Sequence, residues 1–307
     1  MNRRRFLATT ATAAAGVVTA GTLSAVEPFQ RVGRPQLQLS LAAYSFRDYF
    51  RDSNHPRAKD TPQGQRLDMT QFVDHCAKWN CTGAELTSYY FPEKTDTTAM
   101  LALRRHCFLR GVEVSGGSVG NTFTHPPGPK RDEEVGYVKK WIDLYAALGA
   151  PHIRVFAGGA GRGVSRAEAM RHCIGALEEC ADYAGKRGIM LGLENHGGIV
   201  AEADELLEIL RVIKSPWVGI NLDSANFHTA DPYGDFERCA PFAVNVQLKS
   251  EIQPRGAKKE MSDIPRLVKL LKAAGYRGYV ALEYEAEEDP WTAVPRLLEQ
   301  MRAAFGG

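Results

Sequence analysis

Four apolar runs in the second half of the chain stop at side chains that carry oxygen. Leu191-Gly192-Leu193 stops at Glu194-Asn195-His196, Ile220-Asn221-Leu222 at Asp223, Val244-Asn245-Val246 at Gln247-Leu248-Lys249, and Ala281-Leu282 at Glu283-Tyr284-Glu285. If these runs are neighbouring strands, three carboxylates and an amide oxygen meet at one end of a sheet. Unpaired carboxylates gathered near a low-dielectric interior cost several kcal/mol unless a cation compensates them. A divalent metal resolves the conflict, and an all-oxygen donor set favours Mn²⁺ or Mg²⁺ over Zn²⁺. For any one of these acids, an ion pair with Arg or Lys explains it equally well. The recurrence over four consecutive runs is what favours the metal.

The elements that must position these groups follow from the hydrophobic pattern. Short apolar runs at 37–46, 82–91, 112–119, 152–157, 189–194, 218–223, 243–249 and 279–285 are rich in Val, Ile, Leu and aromatic residues, as strands are. Helical patterns lie between and after them, at 69–79, 97–110, 132–148, 165–186, 203–213, briefly near Phe236, and at 264–273 and 291–305. Several close on glycine (Gly111, Gly149, Gly188, Gly275), a helix-terminating signal. Strand–helix alternation requires crossover connections and a parallel sheet. Eight such units predict an α/β fold of the (β/α)8 TIM-barrel kind, in which polar residues at the C-terminal strand ends form the site. No GxGxxG follows the first strand, which argues against a dinucleotide-binding sheet.

On these residues, and on Ser40-Leu41-Ala42-Ala43-Tyr44-Ser45-Phe46 at the first strand, the chain resembles the xylose isomerase-like TIM barrels, a superfamily of sugar isomerases, epimerases, inosose dehydratases and family 2 apurinic endonucleases. The resemblance runs to the last helix. It implies a metal held by Glu194, Asp223, Gln247 and Glu283, the third position departing from the family's usual His. Where relatives often read His-x-Lys-Asp, this chain reads Gln247-Leu248-Lys249-Ser250. The amide oxygen of Gln247 is a weaker donor than imidazole. The resemblance further implies proton abstraction next to a metal-polarised carbonyl, through an enediolate. Glu194 and Glu283 are then the acid–base pair, and His196 and Lys249 hydrogen-bond substrate oxygens. His196 is equally explained as a structural hydrogen-bond partner. Tyr44, Phe46, Glu85, Tyr89 and His228 are candidates for substrate contact, with barrel packing the alternative for the aromatic side chains and surface placement for His228.

The N-terminal segment reads as an export signal. Asn2-Arg3-Arg4-Arg5-Phe6-Leu7 is a twin-arginine pattern, an Ala/Thr/Val/Gly-rich stretch follows, and Leu23-Ser24-Ala25 offers small residues for cleavage. The expected organisation is a signal at 1–25, a linker at 26–36 and one barrel at 37–307, placed outside the cytoplasm; a retained single membrane anchor is the alternative, for which the stretch is short and weakly apolar. Losing Arg3, Arg4 and Arg5 takes the formal charge from +2 to −1, so nothing favours nucleic acid. The six cysteines form no CxxC pair or zinc pattern and are expected as buried thiols rather than a disulfide framework. The polar segment at 47–67 is far longer than an ordinary strand–helix loop. It is either a lid or an ordered insertion.

The leading expectation is thus an exported, metal-dependent sugar isomerase or epimerase that binds a small carbohydrate and could form a homo-oligomer. A lyase or dehydratase, eliminating a β-leaving group from a 3-keto-glycoside or an inosose, shares the first step. A non-catalytic sugar-binding barrel that has lost its metal is the third reading, with Gln247 as its mark. An endonuclease is disfavoured, because its zinc ions need additional histidines and the eight here are scattered.

Overall fold

Eight parallel strands close into a barrel in the computed structural model, which describes residues 26–306. The barrel strands are β1 (Gln36–Ala42), β2 (Gly83–Thr87), β3 (Glu113–Ser118), β4 (His152–Val155), β5 (Met190–Glu194), β6 (Val218–Asp223), β7 (Ala243–Leu248) and β10 (Arg277–Leu282). A short antiparallel hairpin, β8 (Glu251–Ile252) with β9 (Glu260–Met261), lies between β7 and the next helix. Pairing of β1 with both β2 and β10 seals the cylinder. The helices are α1 (Met69–Lys78), α2 (Thr97–Arg110), α3 (Pro129–Leu148), α4 (Arg166–Gly185), α5 (Ala203–Leu210), α6 (Pro232–Cys239), α7 (Ile264–Ala273) and α8 (Pro290–Phe305). This is the (β/α)8 barrel expected from the alternation. The twin-arginine stretch lies outside the described residues, among which no helix is long and apolar enough to cross a membrane.

Local chemistry sets the helix ends. Asp68 caps α1, its side chain accepting from Gln71 N while the Gln71 side chain accepts from Asp68 N, and Ser165 caps α4 through Glu168 N. Such caps satisfy orphan N–H groups and contribute about 1 kcal/mol each. Gly111 and Gly149 close α2 and α3 at φ 66° and 89°, the left-handed region open to glycine.

Two strands end earlier than the apolar pattern indicates. After Ala42 and Thr87 the chain turns into 3-10 helices at Ala43–Phe46 and Ser88–Tyr90. The residues past the strand remain apolar because they still pack. Phe46 packs against both Trp79 and Trp291, and Phe50 stacks on Tyr90 at 4.5 Å. Ser45 replaces the lost ladder bonds, donating to Leu282 O at 3.1 Å and accepting from Tyr284 N at 2.9 Å.

The barrel interior is polar. Glu85 on β2 accepts from Asn245 and Gln247 on β7, and Asn245 and Gln247 both bond to Asn221 on β6. Since β2 and β7 are not neighbours, these bonds cross the cylinder. The apolar residues of the same strands, Ile220, Leu222, Val246 and Leu248, are also buried, on the alternate face turned to the helices. The register shifts at Ala84/Glu85 and Ile220/Asn221 occur beside members of this network.

Residues 47–67 form an ordered insertion rather than a free loop. Arg47 donates to Tyr284 O at 2.9 Å and Glu285 O at 3.3 Å, and Phe50 bridges to Leu67. A cavity of about 300 Å³, lined by Arg47, Asp48, Arg57, Glu287 and Asp289, separates this segment from the chain after β10.

Candidate active site

Glu194 ends β5, Asp223 ends β6, Gln247 is the penultimate residue of β7, and Glu283 follows β10. Parallel pairing of these four strands brings their ends to one mouth, as the sequence pattern required. None of the four side chains belongs to a residue more than 5% exposed.

The ammonium of Lys249 sits among the carboxylates. Its Nζ lies 3.2 Å from Asp223 Oδ2, 3.5 Å from Glu283 Oε2 and 3.2 Å from Glu285 Oε2, and donates to Asn226 Oδ1 at 3.2 Å. Burial alone would discharge the amine. The surrounding carboxylates outweigh it and hold Lys249 well above the ordinary lysine range. Asp223 Oδ1 accepts from the backbone of Ala225 and Asn226 at 2.8 and 3.1 Å. Its Oδ2 is left facing Lys249.

Glu194 has its own cation. Arg154 Nε, from β4, lies 3.1 Å from Glu194 Oε2. Nε has no acceptor in hydrogen-bonding geometry, so the contact is an ion pair rather than an aligned hydrogen bond; Nη1 has no partner at all. Asn226 Nδ2 donates to Glu194 Oε1 at 2.9 Å, which makes the Asn226 amide a bridge between Glu194 and Lys249. Burial raises the Glu194 pKa to about 7 against the pull of Arg154. Burial likewise raises Glu283 well above the carboxylate range, with Lys249 opposing it.

Gln247 departs from the expected role of metal ligand. Its Oε1 accepts from Asn221 Nδ2 at 2.6 Å, while Nε2 donates to Glu85 Oε1 at 2.6 Å and Glu283 Oε1 at 3.2 Å. The orientation is fixed chemically, because turning the amide over would aim its oxygen at two carboxylates. Among the described residues, no group of three or more His, Cys, Asp or Glu side chains is arranged to hold a metal ion.

The remaining candidates divide. Glu85 is fully buried beneath Gln247 and Asn245, so it positions the amides instead of facing substrate. Phe46, also considered for stacking on a sugar, is core, 1% exposed. Tyr44 and Tyr89 are half-buried, Tyr89 lying beside Arg154. His196 is exposed at the rim, its ring 4.4 Å from that of Phe156. His228 lines a cavity of about 180 Å³ that also touches Asn226, Lys249 and Glu285.

Sequence reasoning missed Arg154 and Asn226. Arg154 had a detectable sign: an arginine inside the run His152-Ile153-Arg154-Val155 must find a partner when that strand is buried.

Solved structures share this architecture. D-psicose 3-epimerase with D-tagatose from Clostridium cellulolyticum H10 superposes with a TM-score of 0.67 at 12% identity, over 88% of this chain and 97% of that one. The probable 3-DHS dehydratase AsbF from Bacillus anthracis gives 0.64 at 15%, over 88% and 99%. The IolI protein with a bound zinc atom gives 0.68 at 15%, over 87% and 96%. At such identities the likeness speaks for the fold. No curated protein matches the chain by sequence. The family model described as xylose isomerase-like TIM barrel matches residues 73–303, and the chain therefore belongs to the xylose isomerase-like TIM barrel family.

Proposed function

We propose that this protein is a sugar isomerase or epimerase that moves a proton at the carbon next to a carbonyl. The observation that carries the reading is the cluster itself: two buried glutamates of raised pKa, Glu194 and Glu283, set around the ammonium of Lys249. Two buried carboxyls whose pKa values burial raises from the ordinary carboxylate range suit proton transfer to and from carbon.

Glu194, near the neutral range, takes the proton from carbon. Glu283, its pKa raised by burial, returns one from the other side. The oxyanion formed in between accepts from Lys249 and from the unpartnered Arg154 Nη1, charges fixed by burial among the strand ends. Tyr44 and Tyr89 at the rim offer faces for the sugar. Expulsion of a β-leaving group from the same enolate, with Glu283 giving its proton to the departing oxygen, makes the site a lyase. The export signal proposed for residues 1–25 fits an unphosphorylated sugar taken up outside the cytoplasm.

The divalent metal implied by the family resemblance is not matched by the donors of this chain. The oxygen of Gln247 is engaged by Asn221, and the point shared by Asp223 and Glu283 holds an ammonium. The steps above use Lys249, Arg154 and the carboxylates, with no metal.

A product screen tests the assignment. Keto sugars and keto-glycosides are incubated with the protein and analysed by mass spectrometry and chiral separation. Isomers of unchanged mass are expected. Release of water or an aglycone would replace the epimerase reading with the lyase, and sugars that bind but return unchanged would contradict both.

A further inference from the structure

We propose that the ammonium of Lys249 is the resident cation of this site and that the Gln247 amide keeps a divalent metal out. The inference concerns charge balance and stands whether or not the barrel turns over a sugar.

Each carboxylate that could ligate a metal already has a cation or donors of its own. Asp223 and Glu283 share Lys249 with Glu285, at 3.2 to 3.5 Å. Glu194 is held by Arg154 and by the Asn226 amide. A dication bound by oxygens at about 2.0–2.6 Å would lie within a few ångströms of Nζ. Two like charges that close, away from water, repel strongly, so a dication can enter only if the ammonium leaves the place it holds between Asp223 and Glu283.

Gln247 closes the remaining route. Its amide is clamped on both sides, with NH₂ between Glu85 and Glu283 and the oxygen on Asn221. Asn245 completes the clamp, donating to Glu85 Oε2 at 2.6 Å and to Asn221 Oδ1 at 2.8 Å. Glu85, Asn221, Asn245 and Gln247 are each at most 1% exposed, so no solvent can replace a lost bond. Presenting the oxygen to a metal would break three buried hydrogen bonds and set oxygen against oxygen. An imidazole has a ring nitrogen that can stay an acceptor and ligand. A primary amide gripped in this way has none.

The test is metal binding, read without any substrate. Full-length protein expressed in manganese-supplemented medium and freed of loose ions by gel filtration is measured for metal content, for Mn²⁺ binding by electron paramagnetic resonance, and for melting with and without a chelator. Well under one equivalent of metal and a melting curve indifferent to Mn²⁺ and chelator are expected. The double variant Gln247→His, Lys249→Met, which supplies an imidazole and removes the ammonium, is expected to bind Mn²⁺ at least about tenfold more tightly than the wild type. One equivalent of metal retained by the wild type, with melting lowered by chelation, overturns the proposal. So does a folded double variant that binds Mn²⁺ no better than the wild type. If the double variant does not fold, the wild-type metal content decides alone.

Discussion

Arg154 Nε lies 3.1 Å from Glu194 Oε2, with both side chains 4% exposed, on adjacent strands. Removing Arg154 leaves the buried Glu194 carboxylate with only the Asn226 amide; loss of one member of a buried pair typically costs about 3–5 kcal/mol, whereas replacing both is far milder. Arg154→Met is therefore expected to destabilise the barrel by about 3–5 kcal/mol in urea titration, and Glu194→Gln in the same background should recover part of that loss. Additive losses would show that the two side chains do not act as a pair.

Activity should depend on pH through Glu194. Burial raises its pKa to about 7, and the base works only when ionised. On the acid side kcat/KM is expected to fall tenfold per pH unit below about 7. A profile flat from about pH 5 to 8 would remove Glu194 as the base.

A second pH effect belongs to stability and to the other end of the barrel. His152, 3% exposed at the start of β4, is kept neutral by burial, its pKa lowered to about 4. The unfolded chain binds this proton near pH 6.5 and the folded one only near 4, so stability is full above 6.5 and declines between the two values. The loss attributable to His152 amounts to about 3 kcal/mol. Denaturant melts of the wild type and His152→Gln across that range should differ in slope. Parallel slopes would mean the ring titrates normally.

The fold was legible because the alternation of strand and helix repeats eight times and because glycines such as Gly111 and Gly149 mark helix ends. The ends of β1 and β2 were overrun because Phe46 and Tyr90 look like strand residues while packing from 3-10 turns. Glu194, Asp223, Glu283 and Lys249 were legible as a cluster, since parallel strands of known order leave their ends no other place to go. The direction of the Gln247 amide was not. It is set by Glu85, 162 residues away in sequence, across an interior that exists only once the barrel closes. Arg154 was hidden the same way, its partner defined by the pairing of β4 with β5.

The cysteines give a prediction independent of catalysis. All six (Cys76, Cys81, Cys107, Cys173, Cys180, Cys239) are buried and unpaired. Burial pushes the thiols of Cys81, Cys173, Cys180 and Cys239 up to about 12. A thiol-reactive dye at pH 8 should leave the native protein unlabelled and titrate all of them after denaturation. Fast labelling of the folded protein would place a thiol at the surface.

The central claim, that Glu194 and Glu283 move a proton at a carbon beside a carbonyl, is tested most directly by proton NMR of keto sugars in D₂O. Wild type is expected to wash deuterium into a single carbon of its substrate, and Glu194→Gln, which removes the base, to slow that exchange by about 10²–10⁴-fold while the variant stays folded. Exchange at the same rate in the wild type and in both Glu194→Gln and Glu283→Gln would contradict the account.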